Sequence, residues 1–294
     1  SGTSFSTPRI TALTAELCNR LDEEFDPLLI KALTIHSAKY PENLSIPNSE
    51  KIKSLGYGIP STVDDILFND PYEITLILQD SLTKGSWLQI WDFPFPQEMV
   101  HNGYYYGEII ATIVGSPILS ERQGIEYCQS NLNLRIGTYD KIKKRTGRTI
   151  LNPWGLEENQ NLLDSGIYSA KLHRDQKGGF ARERTLIKYG DKYQPVKKYA
   201  VDLDEITTAN KIHYLTSPKK WYLDVDPRYR MYCVEQYAKD GLELNQEFCL
   251  VITIRDKKRK HRVYDLSTRL LNDYGFMHSD INLRGQTKVI ATGS

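Results

Sequence analysis

The first eight residues, SGTSFSTP, combine a hydroxyl nucleophile with the small and turn-forming residues that could expose it. A helical pattern follows, so Ser4 is predicted to lie in the first turn of a long helix. Free main-chain N–H groups and the positive end of the helix dipole meet there and stabilise developing negative charge. Gly2 permits a tight entry turn, Pro8 is tolerated near a helix start, and the Thr3 hydroxyl could also face an oxyanion. Ser4 is therefore the candidate nucleophile, although Gly-Thr-Ser alone is also a sufficient helix cap.

Acyl transfer by a serine needs a base that takes the hydroxyl proton and a carboxylate that orients that base. The chain holds six histidines: His36, His101, His173, His213, His261 and His278. None has a catalytic neighbourhood in the sequence, and His36, within a predicted helix, is expected to fill a partly buried structural position. A serine without a base is a poor nucleophile at neutral pH, so this chain alone is predicted to be inactive or nearly so.

Residues 1 to about 40 have the pattern of helices. Ile10, Leu13, Leu17 and Leu21 recur at helical spacing in the first segment. In DPLLIKALTIHSAKYP, Asp26 is the expected N-cap of a second helix that ends before Pro41. A Gly/Pro turn then precedes a short third helix, capped by Ser61 or Thr62.

From about residue 71 the pattern changes to short alternating or apolar runs rich in β-branched and aromatic residues, which is typical of strands. YEITLILQDSL, YYYGEIIATIV, NLNLRIGTY, KWYLDVD and FCLVITIRD are the clearest runs, and LSTRLLNDYGF is the one late helix expected. The predicted fold class is α+β: an N-terminal helical region followed by a mainly antiparallel, jelly-roll-like β-sandwich. Residues 80–86, rich in Ser, Thr, Gly and Lys, favour a division into domains 1–80 and 85–294.

Composition argues against several kinds of partner. Lys and Arg number 38 and Asp and Glu 37, so a net charge of +1 gives no field for nucleic acid or an anionic membrane. Two basic clusters, residues 140–148 and 255–262, are better explained as solvated turns that protect a sheet edge, with phosphate contact as the minority interpretation. The sequence has no apolar run of transmembrane length, and it leaves the compartment open.

No metal or cofactor site is expected. The four cysteines, Cys18, Cys128, Cys233 and Cys249, are scattered without a CxxC pair, so buried free thiols are favoured and a disulfide stays open. Spaced acids in DLDEITTAN and YLDVDPRYR form no complete calcium loop.

The segment GTSFSTP resembles the active-serine segment of the subtilisin-like serine proteases, the subtilases, and Ser4 falls on the nucleophile of that pattern. Two later blocks also resemble the family, in the same order: IKALTIHSA (residues 30–38) and the turn LGYGIP (residues 55–60). The resemblance covers about the first 70 residues. Phe5 replaces the common Met, and Ile10 and Thr11 stand where the family prefers small residues. These departures affect packing behind the serine rather than its chemistry.

This resemblance implies the end of a subtilase α/β catalytic domain, acting on a protein or peptide substrate without a cofactor. In the family the chain order is Asp, His, Ser, so both partners of Ser4 and the side-chain oxyanion donor would precede Ser1. Residues 85–294 resemble, more weakly, the accessory sandwich of some large bacterial subtilases, and an ordinary β-rich core explains them equally well. The alternative is a β-sandwich binding module attached to a degenerate or truncated protease domain.

A serine helix separated from its catalytic domain would expose Ile10, Leu13 and Leu17 unless they repack. An apolar face of that size favours association. The sequence therefore predicts either a disordered N-terminal stretch or self-association through the first helix.

Overall fold

The helices of the chain are set by local caps as well as by apolar patterning. In the computed structural model the described residues are 3–21, 26–41, 46, 54–139, 142–143, 149–150, 161–163, 193–273 and 281–283. Within them the α-helices are α1 (Thr3–Leu21), α2 (Pro27–Ser37), α3 (Val63–Leu67), α4 (Thr208–Tyr214), α5 (Met231–Asp240) and α6 (Val263–Asp273). Asp26 caps α2 by accepting from the N–H groups of Leu28 (2.7 Å) and Leu29 (3.1 Å), and Thr62 caps α3.

The strands form two packed antiparallel sheets and two short ribbons. Their bounds are β1 (Glu73–Thr83), β2 (Leu88–Trp91), β3 (Val100–His101), β4 (Tyr104–Tyr105), β5 (Glu108–Gly115), β6 (Ser130–Tyr139), β7 (Ile142–Lys143), β8 (Thr149–Ile150), β9 (Val196–Asp202), β10 (Lys220–Tyr229), β11 (Asn245–Arg255) and β12 (Ile281–Leu283). The larger sheet has the order β12-β1-β11-β5-β9, and the smaller has β2-β10-β6. Both sheets are open, and β3 pairs with β4 and β7 with β8.

The larger sheet is buried on both faces. One face packs on the smaller sheet through residues such as Leu76, Ile113 and Leu250 against Leu134 and Leu223. The opposite face carries Ile77, Val114, Cys249 and Val251, on which α1, α2 and α3 pack through a second core. Burial on both faces explains why β11 is apolar over most of its length rather than alternating.

The predicted α+β class, with N-terminal helices followed by antiparallel packed sheets, is confirmed. The late helix is α6, and Thr62 rather than Ser61 caps α3. Helices α4 and α5 were not predicted. Two further runs whose residues are typical of strands, GIYSAKLH and RTLIKYG, lie outside the described residues. Asp80 to Thr83 belong to β1, and the division between domains at residues 80–85 stays a prediction.

Among the described residues, no helix is long and apolar enough to cross a membrane.

Candidate functional site

Helix α1, which carries Ser4, is held to the rest of the protein by its second half. Leu17 is fully buried in the core between the helices and the larger sheet, and Leu13 and Leu21 pack beside it. Arg20 adds an ion pair with Asp64 at 2.8 Å, between α1 and α3. This pair is exposed, so it contributes about 0–1 kcal/mol and the apolar contacts dominate the attachment.

The first half of α1, residues 4–12, is exposed throughout. Phe5 is 72% exposed and Ile10 is 39% exposed, which leaves apolar surface on the part of α1 that carries Ser4. Ser4 is the second residue of the 19-residue helix and its side chain is exposed. The structure thus places Ser4 among the free N–H groups of a first turn. Helix α1 begins at Thr3, whose side chain lies outside what is described.

No hydrogen bond joins the Ser4 hydroxyl to a histidine or carboxylate within the described part of the chain. His101 lies in β3 and His213 in α4, whereas His261 contacts the Tyr106 hydroxyl at 2.7 Å. His36 is buried between α2 and the larger sheet. His173 and His278 lie outside the described residues. The described histidines therefore do not supply a base to Ser4.

His36 is the centre of a buried polar cluster beneath α2. Its Nδ1 lies 3.0 Å from the Thr112 hydroxyl and its Nε2 lies 2.8 Å from the Thr253 hydroxyl. The Thr253 hydroxyl is in turn 2.6 Å from that of Thr75 on the neighbouring strand. Lys198, also buried, donates to the main-chain carbonyls of Ile35 and Ala38 at the end of α2. Buried polar groups that satisfy one another in this way fix α2 on the sheet, and His36 has the structural role that the sequence predicted.

Next to this cluster, a row of charges crosses the end of the larger sheet. Glu73, Arg255, Glu108 and Asp202 are direct cross-strand neighbours in β1, β11, β5 and β9. Arg255 bridges Glu73 at 2.6 Å and Glu108 at 3.2 Å, and Lys257 bonds Asp202 at 2.8 Å. Each of the three carboxylates thus has a cationic partner, and with the two cations Arg255 and Lys257 the row has a formal charge of −1.

A cleft of about 450 Å³ opens between this row and α3. Three of its acidic side chains are already engaged: Asp64 pairs with Arg20, Asp70 with Arg259 at 3.0 Å, and Glu73 with Arg255. We therefore interpret this cleft as a polar interface that joins the helices to the larger sheet.

The turn of the LGYGIP block requires its second glycine. Gly58 has a φ of +100°, and a Cβ there would lie 2.4 Å from the main-chain oxygen of Lys39. The segment after α2 and the turn meet at this point, because Lys39 and Ile59 form an antiparallel bridge. Glycine allows this close approach, which holds the turn against the end of α2.

The basic cluster at residues 255–262 is the turn from β11 to α6, and Asp256 organises it. The Asp256 carboxylate accepts the main-chain N–H groups of Lys258, Lys260 and His261 and the hydroxyl of Tyr106. Burial alone would raise the pKa of Asp256, but these donors outweigh it and the pKa is lowered. Burial, and after it the same carboxylate, raise the pKa of Tyr106.

Most cations of this turn also have acidic partners, as in the pairs of Lys258 with Asp204 and Arg259 with Asp70. Such pairing favours the structural interpretation of the cluster over phosphate contact. Of the other basic cluster, residues 140–148, the described part is Ile142–Lys143 in β7, which pairs antiparallel with β8.

The four cysteines are free thiols, of which Cys128, Cys233 and Cys249 are buried. Burial raises the pKa of each of these three thiols, so they are weak nucleophiles. No group of three or more His, Cys, Asp or Glu side chains in the described ranges is arranged to hold a metal ion.

No protein-family model matches this chain, and no curated protein matches it.

Proposed function

We propose that this chain is the C-terminal part of a subtilisin-like serine endopeptidase, with Ser4 as its nucleophile. The observation that carries the proposal is the position of Ser4. This serine of the GTSFSTP segment is exposed on the first turn of a 19-residue helix, and the second half of that helix packs on the rest of the protein. The other resembling blocks support it, because IKALTIHSA forms most of α2, on which α1 packs, and LGYGIP forms the turn at the end of α2.

In the proposed reaction the Ser4 Oγ attacks the carbonyl carbon of a substrate peptide bond. The hydroxyl proton passes to a histidine that precedes Ser1 in a longer polypeptide, oriented there by an aspartate. The carbonyl oxygen becomes an oxyanion, to which the main-chain N–H of Ser4 donates, and Thr3 supports it. The C–N bond then breaks, the amine leaves with the histidine's proton, and water hydrolyses the acyl-enzyme ester.

The exposed half of α1 is the proposed contact surface for the upstream catalytic region. Phe5 and Ile10 are apolar and exposed here, whereas a serine helix inside a catalytic domain would be covered. In the isolated 294-residue chain the same surface is proposed to mediate self-association. Sedimentation tests this, and a strict monomer at high concentration would argue against it.

The experiment that tests the function is covalent labelling with a fluorophosphonate probe. It compares the 294-residue chain with a longer natural polypeptide that includes the upstream histidine and aspartate. We expect the probe to label only the longer form. The Ser4→Ala variant of that form should lose the label, whereas the matched variant Ser6→Ala, which removes a neighbouring hydroxyl, should keep it. Label that survives Ser4→Ala, or an unlabelled longer form, would refute the assignment.

A second function, a β-sandwich binding module attached to a degenerate protease domain, is favoured by one observation. The two sheets enclose a core of their own, separate from the core under the helices. An unlabelled longer polypeptide together with a folded, partner-binding chain would support this second function.

A further inference from the structure

A second cleft, of about 460 Å³, lies between α5 and residues 116–129, the loop that joins β5 to β6. Ile118 and Leu119 line it from the loop, and Tyr232, Cys233 and Tyr237 line it from α5. We call it the α5 cleft. It contains no residue of α1, and its function is therefore independent of Ser4.

The α5 cleft is lined by Gln129, which carries an unused hydrogen-bond acceptor. The Gln129 Nε2 donates to the main-chain oxygen of Glu126 at 2.6 Å, and this contact fixes the amide, since the flipped amide would set two acceptors together. Its Oε1 is buried and accepts no hydrogen bond from the described residues. A buried acceptor left in this state costs about 1–3 kcal/mol. A ligand that supplies an N–H group would recover that cost.

The loop also presents an open strand edge at Leu119. Leu119 bridges Cys128, with Ser120 donating to the Tyr127 carbonyl at 2.8 Å and Gln129 donating to the Ile118 carbonyl at 2.8 Å. In this antiparallel pattern the N–H and C=O of Leu119 itself point away from the partner strand. Within the described part of the chain they form no hydrogen bond. Such an edge is a template for an added extended segment.

The rim of the α5 cleft is apolar and carries both signs of charge. Leu119 is 60% exposed, and Met231, which starts α5 next to Tyr232, is 70% exposed. Glu121 and Arg122 also line the cleft, and neither forms an ion pair among the described residues. Adjacent opposite charges suit a polypeptide with its own mixed charges better than a polyanion.

We propose that the α5 cleft binds an extended peptide segment of a partner protein. The peptide main chain pairs with the N–H and C=O of Leu119, a peptide N–H reaches Gln129, and an apolar peptide side chain packs against Tyr232 and Tyr237. Acidic and basic side chains on the peptide face Arg122 and Glu121. Main-chain pairing gives affinity and the cleft gives specificity for the apolar residue.

The test is a selection of random twelve-residue displayed peptides on the 294-residue chain, followed by dissociation constants for the enriched peptides. The key variant is Leu119→Lys, and its matched control is Leu242→Lys, since both leucines are 60% exposed. Leu242 lies beyond the far end of α5 and does not line the α5 cleft. We expect Leu119→Lys to weaken binding at least about ten-fold and Leu242→Lys to leave it within about two-fold.

Hydrogen exchange gives an independent readout on the unmodified chain. The Leu119 N–H, which has no partner among the described residues, should exchange more slowly when it pairs with a bound peptide, while exchange in α1 should stay unchanged. Enriched peptides that bind both lysine variants equally, or that leave the exchange of Leu119 unchanged, would overturn the proposal. Failure to enrich any peptide above the level on the Leu119→Lys chain would overturn it too.

Discussion

Replacement of Leu17 by alanine should release α1 from the protein and leave the sheets folded. Among the described side chains of α1, Leu17 is the one that is fully buried, and part-buried side chains such as Leu13 and Leu21 assist it. Leu→Ala changes in cores cost about 2–5 kcal/mol, depending on how far the surroundings collapse. Because half of α1 is free to shift, we expect the lower part of this range, about 2–3 kcal/mol.

Hydrogen exchange of the α1 amides measures this effect directly. Since each 1.4 kcal/mol is a factor of ten, exchange in α1 should accelerate about 30- to 150-fold, while β11 changes far less. The matched control is Ile10→Ala on the same helix, where 39% exposure predicts a cost below about 1 kcal/mol. Equal acceleration in the two variants, or unchanged α1 exchange in Leu17→Ala, would show that Leu17 does not anchor the serine helix.

Three further predictions concern buried polar groups. His36→Ala should lower the free energy of unfolding by about 1–3 kcal/mol, as measured in urea, because it leaves the Thr112 hydroxyl unsatisfied while the Thr253 hydroxyl keeps its contact with Thr75. Burial lowers the pKa of Lys197 to about 8, so the unfolding free energy should rise between about pH 8 and the ordinary lysine pKa of about 10.4, and Lys197→Met should abolish the rise. The lowered pKa of Asp256 stabilises the fold above about pH 3.9, and this contribution should disappear as the pH falls through the folded-state pKa. Asp256→Asn should therefore be less stable than wild type at pH 7, with the difference shrinking in acid.

Each of these predictions has its own contradicting result. His213→Ala, at an exposed histidine, is the control for His36→Ala. Equal losses of unfolding free energy in the two variants would show that the buried position of His36 does not stabilise the fold. A pH-independent stability between pH 8 and 10 would mean that Lys197 keeps its proton in the folded protein. A constant difference between wild type and Asp256→Asn down to pH 3 would mean that the Asp256 pKa is not lowered by its donors.

The elements that the sequence predicted are those whose side chains show a clear period or cap. The first strand, β1, and the late helix, α6, have such patterns, and Asp26 and Thr62 are caps with standard spacing. Helix α4 buries no residue, so it has no apolar stripe to detect. In α5 the inner side is Tyr, Cys and Val, which are more typical of strands, and only Cys233 is buried.

The surroundings of the candidate site were less predictable. The position of Ser4 in a first turn follows from local residues, and the structure agrees with it. The partners of His36, in contrast, lie 76 and 217 residues away along the chain, and no local pattern specifies such contacts. The sequence signal for this cluster was a threonine within each of three apolar strands: Thr75, Thr112 and Thr253. The open edge at Leu119 depends on hydrogen-bond geometry, which the sequence does not display.

The position of β11 between β1 and β5 has a consequence for biosynthesis. Thr75 on β1 meets Thr253 on β11, 178 residues later in the chain, and β1 has its other partner in β12. During translation β1 therefore leaves the ribosome long before either partner exists, with an apolar run that must stay unpaired. At about 5–20 residues per second this interval lasts roughly 10–40 seconds. Long-range pairing of this kind slows folding and exposes strand edges to other chains, so the nascent protein should depend on chaperones.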